Sequence, residues 1–132
     1  MTIKLKQLIK KGESLTTEFK ESKSNLNKDV YETVCAFLNR DGGDILLGVA
    51  DDGTIVGVDE DKIEGMKKDF LTAINNPQKL NPPCYLSVDI AELNSKKILH
   101  IFVPPSSSVH SLNGKIFDRN GDGDFNITGR HS

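Results

Sequence analysis

The segment GGDILLGVADDGTIVGV, residues 42–58, constrains the fold more than any other stretch of the chain. Two β-rich apolar runs flank Asp52-Gly53, a dipeptide that favours a two-residue turn because such turns require φ > 0. The pattern predicts a β-hairpin. The double glycine in front of it stops a one-face helical pattern that runs from about Lys28 through Val30, Val34, Phe37 and Leu38.

The remaining segments fall into place around this centre. Leu5, Leu8 and Ile9 recur at helical spacing in a short lysine-rich run that Gly12 would end. Leu15, Thr17 and Phe19 then alternate with Thr16, Glu18 and Lys20, as in a strand with one apolar face. SKSNLNKD is loop. Ile63, Met66, Phe70 and Ile74 space a third helix, terminated before Pro77. CYLSVDIAEL, a polar NSKK turn and KILHIFVPP predict a second hairpin. A serine-rich loop leads to GKIF, read as a last short strand, and to the turn-rich DRNGDGDFNITG. The order αβαββαβββ predicts an α+β sandwich, a mixed sheet with β-hairpins packed against about three helices. No internal repeat or domain boundary interrupts residues 1–132, so a single domain is expected.

No apolar stretch approaches the roughly 20 residues of a membrane-spanning helix, and no signal-peptide pattern opens the chain. The expectation is a cytoplasmic protein without a membrane partner. Cys35 and Cys84 lack CxxC spacing and read as reduced, partly buried thiols. The formal net charge is −2, without the basic balance that nucleic-acid binding usually leaves. Its distribution is uneven: residues 1–28 hold seven lysines against three glutamates, net +4, leaving −6 for the remainder. Lys4, Lys6, Lys10, Lys11, Lys20, Lys23 and Lys28 suit a phosphate-facing patch, although a solvated surface has the same composition, and the residues alone favour that plainer reading.

Several motifs exclude chemistry. There is no GxxxxGK[ST], so the lysine and hydroxyl that hold phosphates and Mg²⁺ in a P-loop are missing and ATP hydrolysis is not expected. In DRNGDG, residues 118–123, Asp118, Asn120 and Asp122 match the first half of a calcium loop. The twelfth position of that loop is Gly129 instead of a bidentate glutamate, so a turn between short strands is expected. His100 and His110 offer no ligand spacing, and His131 lies in a terminal tail. Ser106, Ser107 and Ser108 have no nucleophile elbow around them.

Carboxylates remain. Phosphodiester hydrolysis assisted by Mg²⁺ or Mn²⁺ needs clustered oxygen ligands, and Glu13, Glu18 and Asp51 are the candidate group. Asp51 stands at a strand end beside a tight turn. Glu13 and Glu18, five apart, would point to opposite faces of an unbroken strand, so they share a site only if Ser14 or Thr16-Thr17 bends the chain. Taken by themselves the acids read as scattered surface charges.

Together ESLTTEFKES, AFLNRDGGDILLGVADDGTIVGV and IFVPPSSSVHSLNGKIFDRNGDGDF resemble the Schlafen-type AlbA_2 domain over nearly the whole chain. The middle block, with its asparagine, double glycine, apolar strand, Gly-Val and acidic glycine turn, is the most specific. In bacteria and archaea the resemblance implies the amino-terminal, DNA-binding part of a longer transcriptional regulator, often followed by a winged-helix region. An older description of such domains as divergent AAA-type ATPases is undercut by the missing P-loop. In animal Schlafens the related fold carries an endoribonuclease site of three acids, which would fall here on Glu13, Glu18 and Asp51. Two such domains stand side by side in those nucleases, so the resemblance also implies a homodimer.

The leading expectation is a nucleic-acid-binding module for DNA or RNA, with Lys10, Lys11, Lys20, Lys23, Arg40 and Arg119 on phosphates and no cofactor. One alternative is a ribonuclease with Mg²⁺ or Mn²⁺ on Glu13, Glu18 and Asp51. Another is a non-catalytic module that reads a protein or ligand through its sheet and glycine turns.

Overall fold

The computed structural model describes residues 2–129. Its elements are α1 (Thr2–Lys11), β1 (Thr17–Lys20), α2 (Val30–Leu38), β2 (Gly43–Leu47), a 3-10 turn (Glu60–Lys62), α3 (Ile63–Ile74), β3 (Leu80–Asn81), β4 (Val88–Leu93), β5 (Lys96–Val103), β6 (Ser111–Leu112), β7 (Phe117–Asn120) and β8 (Gly123–Asn126). Helices on a mixed sheet with hairpins give the α+β class expected from the sequence. His131 lies outside the described residues.

The central sheet has the order β1-β2-β5-β4. β1 and β2 are parallel, joined by α2, whereas β5 runs antiparallel to both β2 and β4. Parallel neighbours need a crossover element, and α2 is that element. Side chains along β2 alternate between faces. Ile45 and Leu47 enter the larger core with Val34, Phe37, Phe70, Leu99 and Ile101. Leu46 enters a second core with Leu5, Phe19, Val49, Leu93 and Ile98, beneath α1. The run Ile45-Leu46-Leu47 is apolar throughout because helices cover both faces of its strand.

α1 ends where the sequence places the stop. Gly12 is left-handed at φ 86°, and its N–H reaches the carbonyls of Leu8 and Ile9, both at 3.2 Å. Leu5 is buried while Lys4, Lys6, Lys10 and Lys11 are exposed. At the end of α2 the double glycine has a packing reason. Gly42 is left-handed at φ 73° and donates to the Phe37 carbonyl at 2.8 Å; a Cβ there would stand 2.4 Å from the Val103 carbonyl oxygen. A Cβ on Gly43 would stand 2.6 Å from the Thr16 carbonyl oxygen. The entry to β2 therefore lies backbone against backbone between its neighbours.

The hairpin expected around Asp52-Gly53 forms only at its tip. The turn closes through Ala50 N–H to Thr54 O at 2.9 Å and a single bridge between Val49 and Ile55. Its second arm is not a strand of the sheet, because both edges of β2 are already occupied by β1 and β5. Residues 56 and 57 fold back instead, their N–H groups sharing the Gly48 carbonyl, and Val58 N–H bonds Lys97 O. The second hairpin, β4–β5, forms as expected, with Asn94 and Ser95 both left-handed in its turn.

GKIF contributes only Phe117 to β7, because Leu112 and Lys115 exchange backbone hydrogen bonds and close a turn over Asn113-Gly114. DRNGDG forms the β7–β8 hairpin, with Gly121 at φ 60° first in its two-residue loop. Asn39 anchors this region to α2. It accepts the His110 N–H at 2.7 Å and donates to the carbonyls of His110 and Phe117, each at 2.9 Å. His100 is packed against Asp44, with Nε2 at 2.7 Å from Oδ1.

Candidate functional site

The bend that Glu13 and Glu18 require is present. Ser14 and Thr17 exchange backbone hydrogen bonds at 3.0 and 3.4 Å, and Thr16 N–H donates to Ser14 Oγ at 3.2 Å. The chain turns back on itself, and Glu13 Oε2 accepts the Phe19 N–H at 3.0 Å across the turn. Glu13, Glu18 and Asp51 consequently line one cavity of about 450 Å³, together with Lys20, Asn27 and Asp29. The topology explains its place. β1 and β2 run parallel, so Lys20 and the Gly48–Asp51 segment leave the sheet at the same edge, the carboxyl end where open α/β sheets take ligands.

Glu18 is the most heavily partnered of the three. One oxygen accepts from Arg119 Nη1 at 2.8 Å, and the other lies 3.7 Å from Lys20 Nζ. Burial, followed by the hydrogen bond from its carboxyl to the neighbouring Glu13, pushes the Glu18 carboxyl up to about 7, against the opposing pull of Lys20 and Arg119. The cavity carries five acids, Glu13, Glu18, Glu21, Asp29 and Asp51, against the single cation Lys20. A bare phosphate entering it meets like charge. These oxygens have the chemistry to take a hard cation such as Mg²⁺ or Mn²⁺. As placed they do not fit one: among the described residues, no three His, Cys, Asp or Glu side chains converge closely enough to ligate one ion.

The nominated cations divide sharply. Lys10, Lys11 and Lys23 are exposed. Lys20 is only 7% exposed, with its ammonium 3.2 Å from Asp29 and directed toward Glu18, so it neutralises the cavity wall and does not face solvent. Arg40 is exposed and makes a bidentate pair with Asp118, both bonds 2.8 Å. Arg119 is 1% exposed, and its guanidinium donates to Glu18, to Asp124 at 2.9 Å and to the carbonyls of Ser14, Leu15 and Thr17. It stacks over Phe37 at 4.9 Å. No face of it is free for a phosphate, which corrects the expectation that Arg119, like Lys20, contacts nucleic acid.

Three acids of the site escaped the sequence, among them Glu21, which lines the cavity. Asp29, at the start of α2, holds Lys20; Asp124 bridges Arg119 to the Thr33 hydroxyl, 2.6 Å away. Asp124 was within reach, since a two-residue loop at Gly121-Asp122 sets Arg119 opposite it.

The raised Glu18 carboxyl has a consequence for stability. The unfolded chain releases this proton near 4.5 and the fold keeps it until about 7. Between those values the native state holds more protons, so Glu18 makes stability fall as pH rises through the window. Melting curves should show a smaller loss from pH 5 to pH 8 in Glu18→Gln, which cannot ionise, than in the parent chain. Parallel curves would contradict the assignment.

Comparison with known proteins bears on the fold and the family. The fold matches the DIP2311 protein from Corynebacterium diphtheriae with a TM-score of 0.64 and 16% identity, over 86% of this chain and 25% of that one. The chain thus spans about a quarter of that protein's length. It also matches the N-terminal domain of an ATP-dependent DNA helicase RecG-related protein from Nitrosomonas europaea, with a TM-score of 0.57 and 22% identity, over 91% of this chain and 90% of that one. At these identities the likeness is one of fold. The sequence pattern described as Schlafen, AlbA_2 matches residues 13–128, from the first carboxylate of the cavity to the end of the β7–β8 region. The chain belongs to the Schlafen AlbA_2 family.

Proposed function

We propose that this domain binds nucleic acid through the lysines around α1, with the acidic cavity beside them. One observation carries the reading. Lys4, Lys6, Lys10, Lys11 and Lys23 are exposed, and no ion pair among the described residues involves them. On a chain of net charge −2, such a concentration of unpaired cations suits a polyanion. Family membership supports it, as does the name of the Nitrosomonas protein, which joins a similar fold to a DNA helicase. In the finer form of the proposal, the domain is the DNA-binding part of a dimeric transcriptional regulator.

Phosphate contacts release counterions, so affinity should fall steeply with salt. Replacing Lys10, Lys11 and Lys23 together with alanine should weaken binding at low salt and lower the slope of log K against log salt by roughly 2 to 3. Titration of labelled DNA and RNA checks both; unchanged affinity and slope would contradict the proposal. Lys20 is left intact because its loss would disturb the cavity itself.

A second reading, cleavage of RNA assisted by Mg²⁺ or Mn²⁺, is favoured by the shared cavity of Glu13, Glu18 and Asp51. It requires an ion to draw at least one of these carboxylates from its present protein partner. Incubation with tRNA and Mn²⁺ should then give cleavage that Glu18→Ala abolishes. Equal cleavage by both proteins would end this reading.

A further inference from the structure

Against Leu15 of the Ser14–Thr17 turn lies a larger cavity, about 740 Å³, lined also by Arg40, Asp118, Phe125 and Ile127 among others. We propose that it receives one unpaired nucleotide base of the bound strand, stacked on Phe125 and contacted at its edge by Arg40. The inference rests on the nucleic-acid reading above and adds the class of substrate, a single-stranded or locally opened one.

The β7–β8 hairpin builds the pocket by alternation. Arg119 and Asp124 are cross-strand partners on its inner face, while Asp118 and Phe125 are partners on the other, so both of these reach the same side. Phe125 is 52% exposed. Its ring leans over Gly123, where a Cβ would stand 3.2 Å from it. Much of the ring stays in water, where a base stacked on it contributes about 1–3 kcal/mol to binding.

Charge decides between base and phosphate. Arg40 spends Nε and Nη2 on the two carboxylate oxygens of Asp118, and Asp118 Oδ1 also accepts the Arg119 N–H at 2.8 Å. The guanidinium is therefore fixed in orientation and its charge matched by an adjacent carboxylate. An incoming phosphate would be attracted by one and repelled by the other. A neutral, planar acceptor meets no such conflict, and the guanidinium has five N–H donors, of which Asp118 engages two. Purine edges with adjacent acceptors, O6 and N7 of guanine above all, suit donors of this kind. Arg40 becomes a base contact, and the phosphates belong to the lysines.

The test compares short single-stranded oligonucleotides that contain purines with abasic oligonucleotides of equal length and charge. The parent chain should bind the purine strand about tenfold more tightly. Phe125→Ala should lose that preference while keeping its affinity for the abasic strand and its melting temperature. The chain has no tryptophan, so Phe125→Trp adds a single reporter, whose fluorescence should be quenched by the purine strand and unchanged by the abasic one. Equal, salt-sensitive binding of both strands by the parent would overturn the base pocket and leave the lysine contacts standing. A purine preference that survives Phe125→Ala, without quenching in Phe125→Trp, would place the base elsewhere and also overturn it. Binding of neither strand at low salt would remove both this inference and the reading beneath it.

Discussion

A buried guanidinium holds the functional end of this domain together. Arg119 comes from the penultimate strand, yet it satisfies three carbonyls of the turn near the amino terminus and pairs with Glu18 on β1 and Asp124 on β8. Placing a cation at 1% exposure is costly unless its donors and charge are met. Here they are met by two carboxylates and by backbone groups that would otherwise need water. The Ser14–Thr17 turn, the β7–β8 hairpin and α2, reached through Thr33 and Phe37, are thereby tied to one group. Leu15 of that turn lines one cavity, and Glu13 and Glu18, which flank the turn, line the other.

The division of charge follows from this arrangement. Acids gather at the edge where β1 and β2 end together, and the two cations buried with them, Lys20 and Arg119, are consumed in holding the wall. Exposed positive charge is densest on α1 and the following loop, with Lys62, Lys68, Lys96 and Lys115 exposed elsewhere. On the reading proposed above, a phosphate backbone would follow the lysines and be repelled by the acidic cavity. Burial, followed by the hydrogen bond with Glu13, lets Glu18 keep its proton to about 7.

The sequence made the elements legible where one local signal had no rival. Gly12 ends α1, Asn94-Ser95 turns β4 into β5, and Gly121-Asp122 closes the last hairpin. It misled at Asp52-Gly53, where a strong local turn signal met a strand whose two edges already had partners. Pairing is a tertiary fact that no dipeptide reports. Of the site, Glu13, Glu18 and Asp51 were nominated as carboxylates and grouped by the family pattern, while the bend they require, left open at Ser14 or Thr16-Thr17, forms as the Ser14–Thr17 turn. The fates of Lys20 and Arg119 were not. A lysine or arginine looks the same in a sequence whether it faces a polyanion or spends its charge on buried acids.

The claim that Arg119 organises this end of the molecule is tested most directly by denaturant unfolding and amide exchange of Arg119→Met at neutral pH. The substitution leaves Glu18 and Asp124 buried without their common cation. The expected result is a loss of about 3–5 kcal/mol of stability, together with lost protection of the Phe19 amide that Glu13 now accepts. A loss below about 1 kcal/mol with the Phe19 amide still protected would contradict the account.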